Sequence, residues 1–194
     1  MPADTATEPA ANARAGREAF APPDRGLLAH PLDYLLVDHL RMRRLCTLAE
    51  QTADEDAVDR ALALALAGHL VGDLSIHGLD DEEDLHPLVR RRAWPEDRVE
   101  DVLGALAGDH ALGEQLVAAL AQGLSAVAGG AAPDDGLRRS LRLFASRLRR
   151  RVAVENALVM PLAGTRLTAA DLAGLSRRMA ARRGWRLAGG VGHA

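Results

Sequence analysis

Apolar residues recur at three- and four-residue intervals along most of the chain, the period of a helix with one buried face. Punctuation divides this pattern into five helical segments. The first is expected from about Pro31 to Gln51, with proline at its start, where the missing N–H does no harm. The second is expected from about Glu55 to Arg91, with Pro87 bending or stopping it near its end. The third starts at Pro95 and reaches about Val127, and the run from Gly129 to Pro133 then breaks the chain. The fourth runs from about Asp134 to Met160 and ends at Pro161. The fifth begins at Thr168, whose spacing to Asp171 is that of a capping box, and ends near Arg183. Four long helices with short connections predict an all-α fold, an antiparallel up-and-down four-helix bundle over residues 27–163. An additional C-terminal helix over residues 164–188 is expected to pack on it, with a tail at 189–194. Residues 1–26 are rich in Ala, Pro and Glu without an apolar stretch, which predicts a disordered leader and not a signal peptide.

Composition agrees with an all-α reading. Hydrophobic residues make up 48% of the chain and aromatic ones only 3%, so the core must be built from Leu, Ala and Val. Leu and Ala favour helices, whereas strands draw on β-branched and aromatic residues. The net charge of -3 leaves no broad basic field for nucleic acid, and the local arginine runs are offset by acids. No uninterrupted apolar run approaches the roughly 20 residues of a membrane span. Cys46 is the single cysteine, which excludes an intrachain disulfide and fits a reducing cytoplasm.

The apolar faces carry polar interruptions in their middles. A helix turns about 100° per residue, so each inward face can be read by counting. The face centred on His39 carries Leu32, Leu35, Leu36, Met42 and Cys46. The face centred on His77 carries Leu62, Leu66, Leu70, Leu74 and Leu88, interrupted by Asp73, Asp81 and Asp84. In the third helix His110 and Glu114 interrupt a stripe from Val99 to Leu124. In the fourth, Arg151 and Glu155 interrupt a stripe from Leu137 to Val159 that includes Leu158. Any one of these alone is ordinarily a hydrogen-bonded core histidine or a solvated acid. Four helices each placing an ionisable group in the core face point to one shared polar centre, because a buried unpaired charge costs several kcal/mol. Imidazoles and carboxylates brought together inside a bundle suit a divalent metal. His69 lies off the His77 face, His86 points away from it, and Cys46 reads as a small core residue. Tyr34, one turn before Asp38, is a further candidate.

The second helix reads His77-Gly-Leu-Asp-Asp81, then Glu-Glu-Asp-Leu-His86-Pro87; the fourth reads Arg151-Val-Ala-Val-Glu155, with Pro161 at the same interval. With Asp38-His39 on the first helix and Asp109-His110 on the third, this ordered set resembles the hemerythrin-like family of HHE cation-binding proteins. The resemblance covers about Pro31 to Pro161 and implies a non-haem iron protein that binds or responds to O2, NO or peroxide. It implies one iron held by His39 and His77 and a second by the histidines of the third and fourth helices, with Asp81 and Glu155 able to bridge. Two positions depart from the pattern: Asp81 stands where the family has Glu, and Arg151 stands where it has His. A guanidinium stays protonated and cannot be a ligand. Three arrangements follow. One iron sits on His39, His77 and Asp81, with Glu155 or Glu114; or a second, weaker set is completed by His110, Glu114 and Glu155; or Arg151 replaces the metal by pairing with Glu155 and Asp81. An enzyme of the non-haem iron oxidase or oxygenase type is the alternative reading, with Arg151 as an anchor for a small anionic substrate. A metal-free structural or regulatory bundle is the third.

Overall fold

Pro31 opens the first long helix, α1, which covers Pro31–Asp54 and buries Tyr34, Leu35, Asp38, His39, Met42, Leu45 and Cys46 on one side. The computed structural model describes residues 20–186, and within the third helix the side chains of residues 109–112 and 114 are outside the description. Most of the expected leader, residues 1–19, and the tail from residue 187 therefore lie outside the described residues. Phe20 packs against the core, and Asp24 caps a short 3-10 turn at Arg25–Ala29 that buries Leu28.

The second helix, α2, spans Arg60–Arg92. It starts later than its apolar pattern suggests because Asp59 takes the cap, its carboxylate accepting the Leu62 N–H at 2.8 Å. Gly72 interrupts it with φ -93° and ψ -91°. Pro87 neither stops nor sharply ends it. In an α-turn the proline ring would meet the carbonyl four residues back. The chain instead widens into a π-turn at Asp80–Leu85, closed by the His86 N–H on the Asp81 carbonyl, and continues helically to Arg92.

A 3-10 turn at Pro95–Asp97 and Arg98, at φ 47°, lead into α3, Val99–Ala128. The last bundle helix, α4, covers residues 135–166 and repeats the device of α2: a π-turn at Glu155–Val159, closed by the Met160 N–H on the Glu155 carbonyl, absorbs Pro161. The expected end at Met160 is thus passed by a further turn and more. The C-terminal helix, α5, covers Ala169–Arg182 and starts in the anticipated capping box: the Thr168 N–H donates to Asp171 at 3.1 Å and the Asp171 N–H to the Thr168 hydroxyl at 3.2 Å.

Helix α1 packs along α4, α2 along α3, and α3 along α4, while the last turns of α2 and α4 meet. This is the antiparallel four-helix bundle, and no strand occurs among the described residues. Helix α5 lies outside it, against α1, the Arg25–Ala29 turn and the π-turn of α2. By length and composition alone α2 could cross a membrane, but it serves here as a core helix, burying Leu62, Leu66, Leu70, Leu85 and Leu88.

The apolar core falls into two clusters. One contains Met42, Leu45, Leu66, Leu70, Phe144 and Val152; the other contains Tyr34, Leu35, Leu85, Leu103, Val159 and Leu175. In α1 the boundary falls at Asp38 and His39, in α2 between Leu70 and Leu85, and in α4 between Val152 and Val159. A polar layer crosses the bundle there. Two expected core residues are exposed, Leu36 at 41% and Leu158 at 49%. Leu158 lies inside the π-turn, where the wider coil breaks the 100° count that placed it inward.

Candidate metal centre

His39 of α1, His77 of α2 and Glu155 of α4 converge in the polar layer. Each is at most 2% exposed, and one ligand atom from each lies within 4.8 Å of the others. The His39 Nε2 is 3.2 Å from Glu155 Oε2, and the two imidazole rings meet edge to face at 5.1 Å between centroids. His39 Nε2, His77 Nε2 and Glu155 Oε2 are buried without a hydrogen-bond partner. Each has an ionic neighbour instead: His39 Nε2 and Glu155 Oε2 face each other, and His77 Nε2 lies 3.1 Å from Asp81 Oδ2, so the polar atoms of the layer are held by charge and not by well-aligned hydrogen bonds.

The other ring nitrogens are occupied. His77 Nδ1 is 3.0 Å from Asp38 Oδ2, and His39 Nδ1 is 2.6 Å from Asn156 Oδ1. Hydrogen bonds from Nδ1–H to these oxygens orient each ring with Nε2 toward the layer, the usual support of a metal-binding histidine. Asp38 is itself held by Arg41, whose other amine donates to Asp73 at 2.8 Å and to the Phe20 carbonyl at 3.1 Å. His69 completes the chain at 3.3 Å from Asp73. The register of α1 makes this possible, since Asp38 and His39 are adjacent and straddle its inner face.

Burial alone would make His77 harder to protonate, but Asp81 on Nε2 (3.1 Å) and Asp38 on Nδ1 outweigh it and push the group up to about 10. Burial likewise opposes ionisation of Asp81 and of Asp38. In Asp81 it is overcome by His77 and Arg151, in Asp38 by His77 and Arg41, so both sit below the ordinary carboxylate range. The centre therefore holds a surplus of negative charge that a proton on His77 partly balances, and a metal ion would compete with that proton.

A second group lies alongside: Asp81, His86 and Glu155 also bring ligand atoms within 4.8 Å of one another. Here the positive charge is already present. Arg151 donates from Nε to Glu155 Oε1 at 2.8 Å and from a terminal amine to Asp81 Oδ2 at 3.0 Å, joining both acids. His86 is buried, and burial lowers its pKa from the ordinary imidazole value, with Asp81 and Glu155 opposing it.

The structure brings together four of the residues singled out from the sequence as ligands, His39, His77, Asp81 and Glu155, with Arg151 between the two acids. His110 and Glu114 are on α3, but their side chains lie outside the described residues. Arg151 pairs with Asp81 and Glu155, the pairing that the third of the sequence-based arrangements anticipates. Tyr34 is not in the layer but receives a hydrogen bond from Arg183 at 3.0 Å. Asp73 supports Arg41 and touches no ligand atom, and Cys46 is a buried core residue.

His86 is the residue that counting misplaced. Nine residues from His77 put it roughly 180° away on a regular helix. The π-turn between them takes up one extra residue, so His86 comes round to about 80° from His77 instead. Pro87, one position on, was the sequence signal for that turn.

Helices that split their core around buried histidines and carboxylates, with acids at matching places in two of them, define a metal-binding bundle. The model of the hemerythrin HHE cation-binding domain matches residues 30–163, and the chain belongs to that family. No curated protein and no solved structure matches the chain.

Proposed function

We propose that this hemerythrin-like protein binds a single non-haem iron at His39, His77 and Glu155 and that its ligands are O2, NO or peroxide. The observation that carries the reading is the convergence of three buried residues, one ligand atom from each within 4.8 Å of the others, with each imidazole held at its far nitrogen by Asp38 or Asn156. Two histidines and one carboxylate with open positions suit iron(II) and the activation or binding of small diatomic ligands. Asp81, in contact with His77, is placed to add a second carboxylate.

The second position is assigned to Arg151 and not to iron. Its guanidinium already satisfies Asp81 and Glu155, and a dication placed between those acids would face a fixed positive charge at close range. The protein's own part is to orient the two imidazoles through Asp38 and Asn156 and to hold the layer between two apolar clusters, with the metal taking the place of the proton on His77. Cys46, buried and without a partner cysteine, is compatible with the reducing cytoplasm proposed for it.

The test is iron content after anaerobic purification with iron supplied. About one iron per chain is expected in the unaltered protein and background iron in His77→Gln. Two tightly held irons per chain would overturn the assignment of the second position to Arg151, and no iron at all would favour the metal-free bundle.

A further inference from the structure

A cavity of about 220 Å³ opens beside the polar layer between α2, α3 and α4. Its walls are apolar, with Leu70, Leu74, Leu116, Val117, Phe144 and Leu148 forming most of them. Among the described residues, four polar side chains also line it: Ser75, His77, Arg147 and Arg151. Their states differ. His77 is in contact with Asp38 and Asp81, and Arg151 holds Asp81 and Glu155. The Ser75 hydroxyl reaches the Leu70 carbonyl only at 3.4 Å. Arg147 is half-buried and has neither a hydrogen bond nor an ion pair among the described residues.

The position of Arg147 sharpens the point. It precedes Arg151 by four residues on α4, so the two guanidiniums are neighbours on one helix face and repel each other. The acids that answer Arg151 lie on its far side, in the layer. Two other arginines of α4 have answers on α1, Arg142 with Asp54 and Arg149 with Glu50, while Arg139 and Arg150 point to solvent. Arg147 differs from both: it is half-buried against the cavity and has no ion pair among the described residues.

We infer that this cavity binds a small amphipathic carboxylic acid, its apolar body between Leu74, Leu116, Phe144 and Leu148 and its carboxylate on Arg147, next to His77. Size limits the class. A dry cavity of about 150 Å³ holds a benzene ring, so this one holds a single ring or short chain bearing a carboxyl group. An inorganic anion would leave the apolar walls unfilled, and a neutral hydrocarbon would leave Arg147 unanswered. A planar guanidinium can take both carboxylate oxygens at once, which supplies orientation as well as affinity. Binding of the acid depends only on the cavity and Arg147. Its consequence, an organic ligand held next to an iron, rests on the proposed function above.

The experiment is calorimetric titration of the full chain, stripped of metal with chelator, with phenylacetate and with 2-phenylethanol, which has a similar body but no charge. Phenylacetate is expected to bind at least about tenfold more tightly, the difference one charge-assisted hydrogen bond supplies. In Arg147→Gln that preference should vanish while 2-phenylethanol binds as before; in Arg147→Lys part of it should return. Leu116→Trp should weaken both ligands by filling the cavity. Equal affinity for the two ligands in the unaltered protein would overturn the inference, as would a preference that survives Arg147→Gln. So would phenylacetate binding only after iron is restored, since the carboxylate would then be on the metal. Because the titration is done without metal, failure of the iron assignment leaves these outcomes readable.

Discussion

Helices α2 and α4 carry the same local design with opposite charge at one position. In α2 an imidazole, His77, precedes an acid by four residues and a proline by ten; in α4 a guanidinium, Arg151, does the same. Both acids open π-turns, closed in each case by an N–H bonding the carbonyl five residues back, and both prolines are absorbed rather than ending their helices. The surroundings differ. The turn in α2 is acidic and is clamped from outside by α5, with Arg182 on Asp80 and Asp84, Arg183 on Asp80 and Arg178 on Asp84. The turn in α4 is largely apolar and seats Val159 in the core. The backbone device that aims an acid into the bundle is therefore separable from the metal chemistry. One half has an imidazole, able to serve as a ligand, in the position before the acid, while the other has a permanent cation there.

The strongest way to break the comparison is to make α4 like α2. Arg151→His should raise iron above one per chain, because Asp81, His86 and Glu155 would then surround a neutral imidazole instead of a fixed charge. Arg151→Met is the control. In metal-free protein it should cost about 3–5 kcal/mol, since it leaves Asp81 and Glu155 buried without their cation. Urea unfolding measures this, and added iron should recover part of the loss in Arg151→Met. A neutral Arg151→Met would mean that the guanidinium does not serve as the second cation.

Much of this was legible in the sequence, and the exceptions have physical causes. The bundle followed from helical period and punctuation because four amphipathic helices have few other ways to bury their faces. His39, His77, Asp81 and Glu155 were legible because each interrupts an apolar stripe at a countable angle. Counting failed wherever the helix was not an α-helix: His86 was set aside and Leu158 was placed inward, both across or inside π-turns. The support behind the ligands was hidden for a different reason. Asn156 and Arg41 are polar residues beside the inner face, and only the packing of α1 on α4 and α2 shows that one bonds His39 and the other holds Asp38. The clamp of α5 on Asp80 and Asp84 is likewise a long-range pairing that no local spacing announces.

A smaller effect separates orientation from ligation. Asp38→Asn keeps the shape of the side chain behind His77 but removes the charge that orients its ring. Loss of such a partner typically weakens metal binding by about 10–100-fold. Iron affinity measured by competition with a chelator should fall within that range, and the helical circular dichroism should be unchanged. An unaltered affinity would show that His77 is oriented by packing alone.

The smallest effect is at the far end of the same chain of contacts, which α4 lacks. Asp73 is held down to about 2, first by its hydrogen bond with His69 and then by Arg41, with burial opposing both. The ordinary carboxylate value is about 3.9, so the folded state binds this proton less tightly than the unfolded chain. The sign follows: the stabilisation is fully present above the unfolded value and is lost as pH falls through about 2. Its size is limited because the Asp73 side chain is 44% exposed, where ion pairs are screened and worth less than about 1 kcal/mol. Metal-free Asp73→Asn should be less stable than the unaltered protein by no more than that at pH 7, and the gap should close as the pH is lowered below about 4. Urea unfolding of both proteins at several pH values measures the gap directly, since the other acids titrate in both and cancel. A gap that stays constant with pH would mean that Asp73 acts through shape and that Arg41 does not need its charge to hold Asp38.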